Sequence, residues 1–387
     1  MRIAIVGYGT AGQAAAIFLA RDGHDVEVFE RSPELKPVGA GFLLQPTGLG
    51  VMSQLGLREA AIARGARIER LHGENANGRM VMDMRYADHA EKSFGLGMTR
   101  GALFALLHAA CAHLARIHTG VCIERTREDG LVDDAGGERG PFDLIVAADG
   151  ANSTLRASAA LARRDPLYPW GAMWCLLPAE GWPHTAELRQ RYDGTRRMLG
   201  VLPVGTRPDR PGRWLTFYYS LAGARIDKFG ADDLVTLQAD VAALWPELAE
   251  RTRAIVDPVQ LNRARYRDVV LKQVSHDRVV FIGDAAHGMS PQLGQGVNMA
   301  LLDAEALADA LRAHTDVARA LAQYARTRAS HVAVYRRLSR SLTPLFQSDS
   351  AWLGALRDKA FGPLGRLPLA RTEMLKILTG TKRSWWA

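Results

Sequence analysis

What most constrains this chain is a strand, a glycine turn and a helix compressed into residues 3 to 21. Ile3-Ala4-Ile5-Val6 is an apolar run suited to a buried parallel strand. Gly7, Gly9 and Gly12 follow it, and an alanine-rich segment to about Arg21 reads as a helix. Gly7 permits a tight turn, Gly9 lets backbone approach a pyrophosphate, and Gly12 lets helix pack on strand. Phosphates would sit at the helix N-terminus, where free N–H groups and the helix dipole favour negative charge. A second strand, Val26 to Glu30, ends on an acid placed to accept a hydrogen bond from a ribose hydroxyl. In this context the glycine spacing predicts a dinucleotide site.

Two later segments repeat the strand-to-turn pattern. Leu144 to Ala148 leads into Asp149-Gly150-Ala151-Asn152-Ser153, followed by Arg156. Ligands of open α/β sheets bind beyond the carboxyl ends of strands, which suits Asp149. Asp-Gly is equally turn material, and Asn152 and Ser153 are equally helix caps, so this segment reads as turn or site. Val279 to Ile282 leads into Gly283-Asp284-Ala285-Ala286-His287, then a polar loop through Pro291, Gly294, Gln295, Gly296, Val297 and Asn298. A helix from about Asn298 to Ala313 follows, so the loop lies at a helix N-terminus. His287 reads as a hydrogen-bonded structural residue or as a proton-transfer group.

These residues resemble the class A flavoprotein monooxygenases, the family of para-hydroxybenzoate and salicylate hydroxylases. The resemblance runs from Arg2 to about residue 330. It rests on GYGTAG with Glu30, on DGANS with Arg156, on GDAAHGMSPQLGQGVNMALLDA, and on Met98-Thr99-Arg100-Gly101-Ala102-Leu103 at a helix start. It implies FAD as cofactor and NADPH or NADH as reductant. Gly7, Gly9, Thr10, Ala11 and Gly12 would hold the pyrophosphate, Glu30 the adenosine ribose, and Arg31 would flank the adenosine. Arg100 would reach the ribityl-phosphate region and Asp284 the hydroxyls there. Pro291, Gly294, Gly296, Val297 and Asn298 would lie along the flavin ring, with Gln45 of the Gly39–Pro46 segment on its active-site side. Asp149 belongs to a motif tied to flavin and nicotinamide binding. The implied reaction is hydroxylation of an aromatic or similar electron-rich molecule, by oxygen added at the flavin C4a position. His287 is the candidate catalytic residue. A reductase of the same fold and a flavin-binding sensor without turnover stay open. Ser275-His276-Asp277 stands where the family often has an aromatic residue.

The expected fold is α/β: a Rossmann-like FAD-binding domain with an inserted antiparallel-sheet substrate domain and C-terminal helices. The FAD domain is assigned to 1–72, 97–164 and 275–330, the substrate sheet to 73–96 and 165–274, and the helical segment to 331–387. Aromatic and β-branched stretches such as Arg213 to Tyr219 alternate with Pro and Gly turns in the sheet region, with a helix near Ala231 to Leu244. Trp174, Tyr192, Met198, Leu202, Phe217 and Tyr219 read as core or as pocket lining, since alternation sends half of a strand's side chains inward.

No apolar run reaches the roughly twenty residues that span a bilayer. The first strand begins at residue 3, leaving no room for a signal peptide, and Cys111, Cys122 and Cys175 have no metal-like spacing. A reduced, cytoplasmic monomer or homodimer is expected, with its cysteines as small buried hydrophobes and no metal. The net charge of +8 is scattered rather than gathered in a stripe, which speaks against nucleic acid and fits anionic cofactors. The Trp385-Trp386 tail is expected to dock on the body.

Overall fold

The computed structural model describes residues 1–35, 39 and 41–385. Its first layer is a six-stranded sheet in the order Ser275–His276, Val279–Phe281, Leu144–Ala147, Arg2–Val6, Asp25–Glu30 and Arg116–Thr119. All neighbours are parallel except the first pair, a tight hairpin with Asp277 at positive φ. Arg2–Val6 sits between a strand that follows it directly and one more than a hundred residues on. That reversal of strand order opens a crevice at the carboxyl ends.

Helix Thr10–Arg21 packs its alanines between helices Gly296–Ala313 and Arg100–Cys111. Ala14, Ala15, Ile17, Leu19, Leu301 and Leu307 are fully buried there, in one continuous apolar core. The small side chains let the helices approach closely over the sheet. The helices on this sheet therefore begin near the places expected of them, at Thr10, Arg100 and Gly296.

The second layer is a seven-stranded sheet in the order Asn262–Arg267, Leu167–Pro178, Trp214–Ala222, Arg197–Gly205, Glu187–Asp193, Arg70–Asn75 and Met80–Arg85. It is antiparallel except where Glu187–Asp193 runs parallel to Arg70–Asn75. The strand Arg70–Asn75 thus straddles the boundary placed at residue 72. One face is covered by helices Ala231–Leu244 and Pro246–Thr252, through Leu234, Leu237, Val241 and Leu248 against Phe217, Tyr219, Leu199 and Val201. Phe217 and Tyr219 therefore point into this helical cover, whereas Leu202 packs on Leu43 and Leu375 and Tyr192 and Met198 on Phe346, on the opposite face.

Three helices close the chain: Val317–Phe346, Ala351–Leu364 and Pro368–Thr379. The first runs through the boundary placed at residue 330. Trp385 is 44 % exposed, and Trp386 lies outside the described residues, as does Ala40 of the Gly39–Pro46 segment. Among the described residues no helix is long and apolar enough to cross a membrane. Cys111 and Cys175 are buried and Cys122 half-buried, all as free thiols.

Candidate active site

The segments singled out in the sequence touch one another in a ring around the crevice. Gly7 has φ +102°, and a Cβ there would overlap the Ala148 carbonyl, so the first and second segments meet backbone to backbone. A Cβ on Gly12 would strike the Gly7 carbonyl, so this glycine sets the close packing of helix on turn. Gly9 is different: a Cβ there meets no protein atom within 4 Å. Its lack of a side chain leaves open space rather than relieving a clash. A Cβ on Gly283 would come within 3.1 Å of Ala11, which joins the third segment to the first.

Arg156 fastens the second segment to the third. It is almost fully buried and donates to the Ala285 carbonyl at 3.0 Å, to the Ala151 carbonyl at 2.5 Å, and to Asp165. Ser153 caps the short helix Thr154–Ser158 by accepting from the Arg156 N–H. Asp149 accepts from the Leu155 N–H at 3.2 Å through one oxygen, while its other oxygen, Oδ1, is buried with no partner. Both readings of this segment thus have a physical basis: it is a capped turn, and it holds a carboxylate with acceptor capacity to spare.

Glu30 ends the strand Asp25–Glu30 beside the first turn. It accepts from the backbone N–H groups of Tyr8, at 2.8 Å, and Ser32, at 2.9 Å, with Arg31 exposed beside it. Arg100 is the first residue of its helix, capped by Thr99, and its side chain lies against Gly39, where a Cβ would come within 2.7 Å of it. Asp284 is exposed at its helix start, and its carboxylate makes no hydrogen bond or ion pair with the described residues; a Cβ on Gly296 would lie 4.0 Å from its Oδ1.

The loop Pro291–Asn298 is pinned from behind. Pro291 starts a short turn that ends at Gly294, which has φ +61° and open space around it. Asn298 is fully buried, accepting from the Gln45 N–H at 2.8 Å and donating to the carbonyls of Gly294 and Leu43. Val297 beside it is half-buried. Gln45 is fully buried; Tyr86 donates to its Oε1 at 2.7 Å, and its Nε2 has no partner. The hydroxyl of Tyr86 thereby fixes which end of the amide is left to donate.

His287 faces away from open space. Its Nε2 lies 2.6 Å from Asp303 Oδ2, and Asp303 also accepts from the Gly283 N–H at 2.8 Å and from Arg328 Nε at 2.7 Å. Arg328 continues to His331, whose Nε2 reaches the Gly380 carbonyl at 3.1 Å. Burial opposes the charge of Asp303, but His287, Arg328 and the Gly283 N–H outweigh it and hold the carboxyl well below the usual carboxylate range. Burial, aided by Arg328, pushes His331 down to about 4. Sequence reasoning singled out Arg156 without giving it a role, and missed the roles of Asp303, Arg328 and Tyr86. The one readable signal was Asp303 itself, an acid on the apolar face of a helix among Met299, Ala300, Ala304 and Leu307.

The residues fit a flavin dinucleotide. Helices Thr10–Arg21 and Gly296–Ala313 both start without a side-chain cap, so their first-turn N–H groups are free for oxygen acceptors. Gly9 and Gly294 leave open the volume that side chains would fill, and Asp149 Oδ1 and Gln45 Nε2 are buried polar atoms awaiting a partner.

Comparison with known proteins agrees. Residues 1–338 match the FAD binding domain family. The 3-amino-4-hydroxybenzoate 2-monooxygenase of Streptomyces cremeus is 30% identical over 368 residues, 89% of this chain and 88% of the relative. The FAD-dependent urate hydroxylase of Klebsiella pneumoniae is 27% identical over 86% of this chain and 87% of its own. A structure of Klebsiella pneumoniae HpxO with FAD and uric acid superposes with a TM-score of 0.80 at 23% identity, covering 98% of this chain and 97% of the other. The chain belongs to the FAD binding domain family, among its FAD-dependent monooxygenases. These matches support oxygenation over the reductase and sensor alternatives.

Proposed function

We propose that this monooxygenase hydroxylates a small aromatic ring held between the seven-stranded sheet and the loop Pro291–Asn298. The observation that carries this reading is the convergence of five separated segments on one crevice, with free helix N-termini and two unpartnered buried polar atoms around it. The relatives' names support an aromatic or heteroaromatic substrate.

When bound, FAD would accept a hydride from NADH or NADPH and activate oxygen. The chain's own residues bind, orient and shield. The first-turn N–H groups around Gly9, Thr10, Ala11 and Gly12 take the pyrophosphate, with Glu30 and Arg31 at the adenosine end. Arg100 and Asp284 take the ribityl-phosphate region. The uncapped N-terminus of Gly296–Ala313 would favour negative charge on a flavin held beside it. Gln45 Nε2 is a donor fixed by Tyr86. Asp149 remains the candidate contact for the nicotinamide cofactor. His287 is assigned a positioning role: it bonds to Asp303 and steadies the Gly283 turn, rather than exchanging protons with substrate. The protein works in the cytoplasm.

The test is anaerobic reduction of the purified flavoprotein by NADH and NADPH, with and without phenols, aromatic acids and N-heterocycles. Faster flavin bleaching with one ring class, followed by a hydroxylated product once oxygen is admitted, is the expected result. Rapid bleaching that no ring accelerates, with no oxygen in any product, would sink the reading.

A further inference from the structure

The strands of the seven-stranded sheet divide their side chains by charge. Register places Leu71, Gly73 and Asn75 on the same face as Met82, Met84, Leu188, Gln190 and Tyr192. It carries that face on through Met198, Gly200 and Leu202, Thr216, Tyr218 and Ser220, Ala172, Trp174 and Leu176, and Asn262, Ala264 and Tyr266. Not one of these is Asp, Glu, Lys, Arg or His. The charged residues alternate to the opposite face, among them Arg70, Glu74, Asp83, Glu187, Arg189, Arg191, Arg263 and Arg265.

The uncharged face turns toward the strand that leads to Gln45 and is covered beside it by the C-terminal helices, through Phe346, Phe361, Leu375 and Leu378. A Cβ on Gly41, in the strand leading to Gln45, would overlap Thr216. Tyr218 accepts from Gln347 Nε2 at 2.7 Å, and Gln347 in turn accepts from Gln292 of the loop Pro291–Asn298 at 3.1 Å. Trp174 packs edge-on against Tyr218, with ring centroids 4.6 Å apart, and donates to the Tyr266 hydroxyl at 3.1 Å. Each phenol is thus used as an acceptor, and neither proton has an acceptor among the described residues. Burial raises both phenols above the ordinary tyrosine range, so at neutral pH they are donors.

Two cations lie by this face: Arg357, which is paired within the protein, and Arg100, which would pair with the cofactor. Arg357, fully buried over the Tyr192 and Phe346 rings, is paired with Asp358 and the Leu345 carbonyl. Arg100 acts on Tyr266 from the cofactor side, where the flavin phosphates would engage it. A carboxylate buried without a cation or a full set of donors costs several kcal/mol, so a charged ring would be rejected here.

We propose that the Trp174, Tyr218 and Tyr266 cluster selects an uncharged ring that carries hydroxyl or carbonyl acceptors and no carboxylate. This rests on the aromatic-monooxygenase reading above. The experiment titrates the purified holoenzyme with pairs differing in charge: a hydroxybenzamide against the matching hydroxybenzoate, and a hydroxyquinoline against its carboxylate. Binding is read by tryptophan quenching and by the flavin absorbance change. The neutral member should bind about 100-fold more tightly. In Tyr218→Phe and Tyr266→Phe, with flavin content and Tm unchanged, affinity for the neutral ring should fall about tenfold. A carboxylate member that binds as well or better would overturn the proposal and leave the monooxygenase reading standing. Unchanged affinity in both tyrosine variants would overturn the assignment to these phenols. If no ring of either class binds or speeds NAD(P)H consumption in flavin-loaded protein, the aromatic reading fails and this proposal falls with it.

Discussion

Two strand-to-glycine junctions flank the strand Leu144–Ala147, and they are built on different principles. At the first, Gly7 donates its N–H to the Phe29 carbonyl and packs against the Ala148 backbone. The contacts of Gly7 itself are all main chain, with one local carboxylate, Glu30, accepting from the next N–H, that of Tyr8. At the third, Gly283 donates to the side chain of Asp303, which is held by His287 and Arg328 from separate helices. The first needs only glycines at the right spacing; the other needs a buried ionic cluster to hold its turn. A main-chain junction fails when a side chain is added, and a side-chain junction fails when a charge is removed.

The widest breach should come from Asp303→Asn. It leaves Arg328 buried without its counter-charge and should cost about 4 kcal/mol, read as a drop in the denaturation midpoint. A variant with unchanged stability would remove the distinction between the junctions. Gly7→Ala comes next, at about 3 kcal/mol, from its positive φ together with displacement of the Ala148 backbone. Gly9→Ala sharpens the contrast within the same motif. Its Cβ has open space, so stability should stay within about 0.5 kcal/mol of the parent while flavin content falls.

The third junction should also respond to acid. His331 is held neutral at about 4, below the 6.5 of an unfolded histidine, so the unfolded chain binds the proton first. Its stabilisation is fully present above the unfolded value and is lost as pH falls through the folded one, by about 3 kcal/mol in all. His331→Gln should flatten the decline in Tm between those two values; an unaltered slope would place the acid response elsewhere. The smallest structural effect is expected from Asp284→Asn, since that exposed carboxylate bonds to no described residue. Tm should stay put while flavin dissociates about tenfold more readily. A variant that purifies fully loaded would remove Asp284 from the cofactor site.

The contrast also explains what could be read in advance. The Gly7, Gly9 and Gly12 turn, the Glu30 strand end and the helix starting at Arg100 were legible because local spacing encodes them. Asp149 was legible as a position but not as a role, since an Asp-Gly turn and an open acceptor look alike until the partnerless Oδ1 is located. His287 drew attention as a loop histidine, and only the fold shows its Nε2 turned to Asp303. Phe217 and Tyr219 could not be told from Tyr218 by alternation alone, because either face of a strand can be the covered one.

The sequence by itself therefore determined the cofactor class and the layered α/β architecture, and it pointed to the segments that meet at the crevice. Each of these follows from short-range periodicity and from glycines whose missing side chains have local consequences. The tertiary structure alone decided which face of the seven-stranded sheet the helices Ala231–Leu244 and Pro246–Thr252 cover, which charges are neutralised in the interior, and which buried polar atoms are left without a partner. Those depend on strand register and on partners hundreds of residues apart, such as Gln45 with Asn298, and no local pattern carries that information.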